Sequence, residues 1–407
     1  MKKFSHSHAL RFLLFALCLL PFLAVSCASP QPQKISRTTP LEWSQRLAYS
    51  QMARETNAPK WDYTMGLFTF SLLKLNKQVP DARFVKFSEN KIGSLISSNG
   101  IIQGYKLSEY QLDALNPGKT ALALWQETRE ERYLDCARLL CQQLKTQPRT
   151  SEGGFWHKQR YTNQMWLDGI YMAAPFYAEY VATTVSNPAL EDFDDVVEQF
   201  RLIDVHTYDV SSGLNYHAWD ASKTQPWANP QTGCSSNFWG RAEGWYAMAL
   251  VDTLDFLPTN HPVRCELIAM LQATARGLVK WQDSKTGLWW QVLDQGGRKG
   301  NYFEATANAM FVYALAKGVN KGYLPQEYAI VAQRGYEGIV KNLIVADGKK
   351  SWSLTHCCQV AGLGFTNSAG RARDGSFDYY VSEPVVKNDL KGVGPFILAG
   401  IEVQELH

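Results

Sequence analysis

Short aromatic segments of one pattern return along the chain: "GGFWHK" from residue 153, "SGLNYHAWD" from 212, "TGLWWQVLD" from 286 and, more loosely, "SWSLTH" from 351. Gly154 and Gly213 stand 59 residues apart, and Gly213 and Gly287 stand 74 apart. Each span holds two helices and one extended piece. A unit repeated at such spacing stacks on its neighbours or closes into a ring. The helices are legible between the repeats: "MGLFTFSLLKL", "KTALALWQET", "YLDCARLLCQQL", "MWLDGIYMAAPFYAEYV", "GWYAMALVDTLDFL", "ELIAMLQATARGLVKW", "ATANAMFVYALAKGV" and "YAIVAQRGYEGIVKNLI" carry apolar residues at helical spacing, and strand signals are few and short. Several of these helices are apolar on every side, which suits an inner ring with no face left for water. Roughly six such units fit the chain. The pattern predicts an all-α fold, an (α/α)6 toroid of six helical hairpins with short extended segments at the hairpin ends lining a funnel. The structural alternative, an open solenoid of hairpins, would show more regular repeats and amphipathic helices throughout.

The first residues, "MKKFSHSHALRFLLFALCLLPFLAVSC", place Lys2, Lys3 and Arg11 ahead of an apolar run, as in a secretory leader. The "AVSC" before and at Cys27 resembles a bacterial lipobox, with a plain signal-peptidase site as the alternative. The expected organisation is a signal peptide over 1–26, a lipid anchor through Cys27, a Pro-, Ser- and Gln-rich tether over 27–45 and a single (α/α)6 domain over 46–407. The absence of acidic residues just after Cys27 favours the periplasmic side of the outer membrane. No later stretch is apolar for long enough to span a bilayer. Losing the leader removes three positive and no negative charges, taking the formal net charge from +3 to 0. Nucleic acid is therefore a poor partner, and any anionic ligand must be recognised by local groups. Six of the eight cysteines lie beyond Cys27: Cys136, Cys141, Cys234, Cys265, Cys357 and Cys358. Their spacing fits no zinc pattern. Buried thiols are the expectation, with one or two disulfides open to an oxidising compartment. No catalytic cysteine, metal or cofactor is called for.

From Met165 to Ala178 the only ionisable group near neutral pH is Asp168, and Gly169 and Pro175 beside it both weaken a helix interior. A carboxyl among apolar neighbours either caps a backbone or tends to keep its proton at the bottom of a pocket. Four places combine polar groups with segment ends. Asp113 precedes "NPG" at a helix entrance, where an Asp often caps. His157, Asn163, Gln164 and Trp166 lead into Asp168. His217 and Asp220 follow an aromatic hairpin tip. Arg241 and Trp245 stand four apart, on one face of a starting helix. An arginine fork takes a carboxylate with two parallel hydrogen bonds, and a tryptophan offers a sugar ring a platform. Two neighbouring aspartates cannot both ionise cheaply, so one can serve as a proton donor. His217 could orient a hydroxyl or a water. These residue types suit a reaction on an anionic sugar.

The motifs "NQMWLDGIYMAAPFY", "WGRAEGWYAMALVDTLDFLP", "YFEATANAMFVYALAKG" and "GSFDYYVSEPVVKNDLKGVGPFILAGIEV" together resemble the unsaturated rhamnogalacturonyl hydrolases, glycoside hydrolase family 105, from about Trp61 onward. Family 88, the unsaturated glucuronyl hydrolases, shares the fold and chemistry and fewer of the motifs. The resemblance implies that Asp168 of "WLDG" is the general acid and base and that Asp113 assists at the same sugar. It further implies that His217, Arg241, Trp245 and, at the same subsite, Trp166 bind substrate. One departure is Glu243, an acid two residues beyond Arg241. The implied reaction is hydration of the C4=C5 double bond that lyases leave on a terminal uronyl sugar. Two other functions stay open on sequence: an inverting glycosidase using Asp113 and Asp168 on a saturated sugar, and a lipoprotein that only captures oligosaccharides.

Overall fold

The computed structural model describes residues 38–186, 188–366 and 370–406. The expected leader, Cys27 and the first part of the tether lie outside the described residues. Among the described residues the helices are α1 (Pro40–Arg54), α2 (Tyr63–Gln78), α3 (Ala82–Lys91), α4 (Pro117–Thr128), α5 (Glu131–Thr146), α6 (Leu167–Thr184), α7 (Asp194–Thr207), α8 (Gly240–Leu254), α9 (Arg264–Trp281), α10 (Ala305–Asn320), α11 (Tyr328–Asn342), the single turn α12 (Phe377–Tyr380) and α13 (Leu390–Gln404). Helix α2 packs on α4, α4 on α6, α6 on α8, α8 on α10, α10 on α13 and α13 back on α2, which closes an inner ring of six. Helices α3, α5, α7, α9 and α11 return on the outside. The sixth hairpin joins α13 to α1, so helices from opposite ends of the described chain seal the ring. The architecture is the (α/α)6 toroid.

Side-chain pattern decides which helix goes inside. Every residue of α8 is buried, and so is every residue of α10 except its last. In α5 burial follows a stripe, Tyr133, Leu134, Cys136, Ala137, Leu140, Cys141 and Leu144 among it, and the other face meets water.

The boundary expected at residue 46 falls too late. Thr39 opens α1 as its N-cap in a reciprocal capping box: its hydroxyl accepts from the Glu42 amide at 3.2 Å and its amide donates to the Glu42 carboxylate at 2.8 Å. Pro40 occupies the first helical position, where a missing N–H costs nothing. Ser44 then donates to the Ile397 carbonyl of α13 at 3.1 Å, so residues 40–45 belong to the ring. A proline read as a linker signal is here a helix start.

The recurrent aromatic segments are the short strands and turns between an outer helix and the next inner one. Strands β1 (Gln164–Trp166), β2 (Tyr208–Asp209), β3 (Leu214–Asn215), β4 (Ala218–Asp220), β5 (Ile344–Ala346), β6 (Trp352–Leu354), β7 (Cys357–Cys358) and β8 (Val385–Val386) pair antiparallel as β1 with β4, β2 with β3, β5 with β6 and β7 with β8. Gly287 turns in the left-handed region, φ +74°, and a Cβ there would lie 2.5 Å from the Arg334 carbonyl oxygen, so only glycine fits. Because α6, α8, α10 and α13 each start after such a segment, their N-termini gather at one end of the ring.

Deeper in the ring, four inner helices contribute buried ionisable side chains. Lys317 of α10 pairs with Asp252 of α8 at 2.7 Å and with Asp255 at 2.6 Å, while Lys119 of α4 lies 3.5 Å over the Tyr171 ring of α6. The six described cysteines are free thiols, five of them buried. No described helix is long and apolar enough to cross a membrane.

Candidate active site

Asp168 is the second residue of α6, and the pairing of β1 with β4 aims it. Trp166 lies opposite Ala218, and the Leu167 amide donates to the His217 carbonyl at 3.1 Å, which brings the His217 ring beside the first turn of the helix. Asp168 Oδ2 and His217 Nε2 are 3.2 Å apart, misaligned so that neither atom has a hydrogen bond. Alignments of this kind often tighten only when substrate arrives. On its other side His217 Nδ1 meets the Tyr380 hydroxyl at 2.8 Å. Burial raises that hydroxyl well above its ordinary range, so it keeps its proton and can donate to Nδ1. The other ring nitrogen, Nε2, faces Asp168.

Gly169 has a geometric purpose. A Cβ at this position would stand 2.9 Å from His157 Nδ1 and 3.0 Å from Leu112, so the missing side chain lets His157 lie against the helix next to Asp168. His157 Nε2 in turn stands 3.5 Å from Asp113 Oδ1. Burial pulls the imidazole down to about 4, despite the attraction of Asp113 and Asp168, so it is neutral near pH 7.

Asp113 lies in a 3-10 turn, Leu112–Leu115, ahead of α4, but it caps nothing there; Asn116 holds the N-cap position. Its Oδ2 accepts from Lys158 Nζ at 2.6 Å. Burial alone would raise this carboxyl, but Lys158, His157 and Arg160 outweigh it and hold Asp113 below the usual carboxylate range. The two aspartates thus have different company. Asp113 is tied to a lysine, whereas the ionisable partner of Asp168 is a histidine.

The expected substrate-binding side chains differ from expectation in exposure. Arg241 is buried, and its Nη2 donates to Glu304 Oε1 at 3.0 Å, to Thr306 Oγ1 at 3.3 Å and to the Cys358 carbonyl. One nitrogen of the fork expected to hold a ligand carboxylate is taken by a protein one, because Glu304 sits at the N-cap of the adjacent helix α10. Trp245 is 1% exposed and stacks on Tyr171 at 4.8 Å, with Tyr63 edge-on at 6.5 Å. It backs the site and leaves no open face as a platform. Trp166 packs near-parallel to His157 at 4.8 Å and to Tyr161 at 4.6 Å, two rings that lie 5.9 Å from each other, and its Nε1 donates to Gln164 at 3.1 Å. Asp220 accepts from its own turn, at Ser222, Thr224 and Gln225, away from Asp168.

Glu243 also faces elsewhere. Its Oε2 accepts from the Asn215 amide at 2.9 Å, on the side of β3, and it takes no part in the Arg241 contacts. Burial pushes this carboxyl up to about 8, the Asn215 amide opposing and Asp204 adding. A carboxyl raised on folding binds more protons in the folded state, so its contribution to stability is complete below its ordinary value and declines as pH climbs through the raised one. Glu243→Gln removes that dependence. Between about pH 6 and about pH 8 the wild type should lose roughly 2 kcal/mol more unfolding free energy than the variant. Denaturant titrations at the two pH values measure this, and parallel losses would refute it.

Sequence reasoning missed Lys158, Tyr380 and Glu304. Lys158 stands next to His157 in "WHK", where adjacency was the available signal; Tyr380 and Glu304 reach the site from motifs remote in sequence. Among the described residues no group of three His, Cys, Asp or Glu side chains is placed to hold a metal ion.

The family model for Glycosyl Hydrolase Family 88 matches residues 39–407. A glycoside hydrolase from family 105 of C. acetobutylicum ATCC 824 superimposes with a TM-score of 0.85 at 43% identity, covering 89% of this chain and 99% of that one. Protein Atu3128 of Agrobacterium fabrum is 40% identical over 235 residues, 57% of this chain and 97% of that protein. The unsaturated rhamnogalacturonyl hydrolase YesR of Bacillus subtilis is 25% identical over 262 residues, 63% of this chain and 70% of that protein.

Proposed function

The chain belongs to the glycosyl hydrolase family 88 and 105 group, and from that premise we propose that it removes the terminal 4-deoxy, C4=C5 unsaturated uronyl residue from lyase-generated rhamnogalacturonan fragments. That it is a glycoside hydrolase for unsaturated uronyl sugars follows from the family. The rhamnogalacturonan assignment draws on the likeness to YesR.

The double bond is an enol ether conjugated to a carboxylate. Protonation at C4 leaves a cation at C5 that the ring oxygen shares. Water adds at C5, the resulting hemiketal opens to a C5 ketone with the ring oxygen left as a hydroxyl on C1, and the C1 hemiacetal so formed collapses to an aldehyde, releasing the aglycone as an alcohol. Asp168 gives the proton to C4 and, once ionised, takes one from the attacking water, so one carboxyl serves both steps. His217, held by Tyr380, orients that carboxyl. Asp113 and Lys158 bind at the same sugar, Lys158 presenting the positive charge nearest to Asp113. Arg241 and Trp245 position the floor of the site from below.

The contrast between the two aspartates carries this reading: Asp113 is engaged by a lysine at 2.6 Å and held below the usual carboxylate range, whereas Asp168 faces a histidine at 3.2 Å and has an oxygen without a hydrogen bond. Ultraviolet absorbance tests it. A rhamnogalacturonan lyase digest should lose its conjugated chromophore when the protein is added, and faster than a glycosaminoglycan digest does. Cleavage with the chromophore retained would make it an ordinary glycosidase; binding with no change in absorbance would make it a capture protein. Either result overturns the proposal.

A further inference from the structure

We propose that Arg160 and Phe365 form an outer subsite for a second acidic sugar, beyond the bond that is cleaved, so that the protein prefers unsaturated oligosaccharides long enough to carry a second uronate. This rests on the function proposed above and adds a length and charge preference to it.

Aromatic rings run outward from the catalytic carboxyl. Trp166, two residues before Asp168 and edge-on to His217 at 5.3 Å, stacks on Tyr161 at 4.6 Å, and Tyr161 meets Phe365 at 5.6 Å. The first two rings are buried and the third is not: Phe365 is 47% exposed. Its carbonyl accepts from the Arg373 amide at 2.6 Å.

The Arg160 guanidinium lies 5.0 Å over Tyr161 and 5.1 Å over Phe365, and its Nη2 donates to the Tyr161 hydroxyl at 3.3 Å. Arg160 is exposed, and among the described residues it has no carboxylate partner. Its charge is nevertheless felt at Asp113, where it helps hold that carboxyl low, so Arg160 belongs to the approach to the site. An arginine laid flat on aromatic rings loses little conformational freedom when its outer edge takes up a carboxylate. The exposed Phe365 ring beside it offers an apolar face of the kind that sugar C–H groups cover. A ring face and an unpaired guanidinium side by side, continuous with the catalytic carboxyl, match a sugar that carries its own carboxylate. A neutral sugar would use the ring and leave the charge idle.

The test compares an unsaturated disaccharide with an unsaturated tetrasaccharide containing a second uronate, both from one lyase digest. For the wild type kcat/KM should be higher on the tetrasaccharide. Arg160→Gln and Phe365→Ala should each lower the ratio of the two kcat/KM values about tenfold, mainly through KM, and methyl esterification of the second uronate should lower it for the wild type but not for Arg160→Gln. Equal losses on both substrates, or a wild type indifferent to length or esterification, would overturn the outer subsite. Failure of the wild type to consume the chromophore of either substrate would instead sink the proposed function and is read separately from the ratio.

Discussion

Asp168→Asn should lower kcat on an unsaturated uronyl disaccharide by about a thousandfold or more, the range over which general acid and base catalysis contributes. The asparagine keeps the shape of the side chain beside His217 and lacks an acidic proton to give to C4. Both steps assigned to this carboxyl then fail together, whereas binding, which depends on Lys158, Asp113 and the surrounding rings, should persist within about threefold in Kd. Absorbance decay gives kcat and calorimetric titration of the same disaccharide gives Kd. Turnover near that of the wild type would remove Asp168 from the chemistry; lost binding with an intact fold would make it a contact rather than a catalyst.

Arg241→Ala should act first on the fold. Arg241 and Glu304 are both buried and paired at 3.0 Å, so removing the guanidinium strands an ionised carboxylate in the interior. Losing one partner of such a pair costs about 3 to 5 kcal/mol. Glu304 keeps two backbone donors, the Cys358 amide at 2.8 Å and the Ala307 amide at 2.6 Å, which points to the lower end of that range. A melting temperature lower by several degrees is the expected reading, and Glu304→Gln added to Arg241→Ala should recover part of the loss, since the stranded charge goes with it. A variant with unchanged melting and a strongly raised KM would return Arg241 to direct substrate contact.

The two variants mark what was legible in the sequence. The ring was legible because its cause is local: uniformly apolar stretches such as "GWYAMALVDTLDFL" fit only an interior, and the glycine-aromatic segments recur between them. Asp168 was legible for the same reason, as one charge in an apolar run. Partnership was not. Nothing within a few residues of Arg241 indicates that Glu304, 63 positions on, supplies its counter-charge, or that the Tyr380 hydroxyl meets His217 from 163 positions away. Exposure was equally hidden: Trp245 shares a helix face with Arg241 as its spacing requires, but Tyr171 of a different helix covers that face. The start of the ring was misread because Pro40 signals a linker and a helix start alike, and Glu42 completing the capping box with Thr39 distinguishes the two.

The pairing of α1 with α13 has a consequence for how the molecule is made. Five of the hairpins can assemble in order as they leave the ribosome, since each contacts the one synthesised just before it. The sixth waits, with the apolar flanks of α2 and α10 uncovered, until some 350 residues of sequence separation have been bridged. Closing so long a loop is slow, and an open barrel with two greasy edges is the species most exposed to aggregation or to a helix borrowed from another molecule.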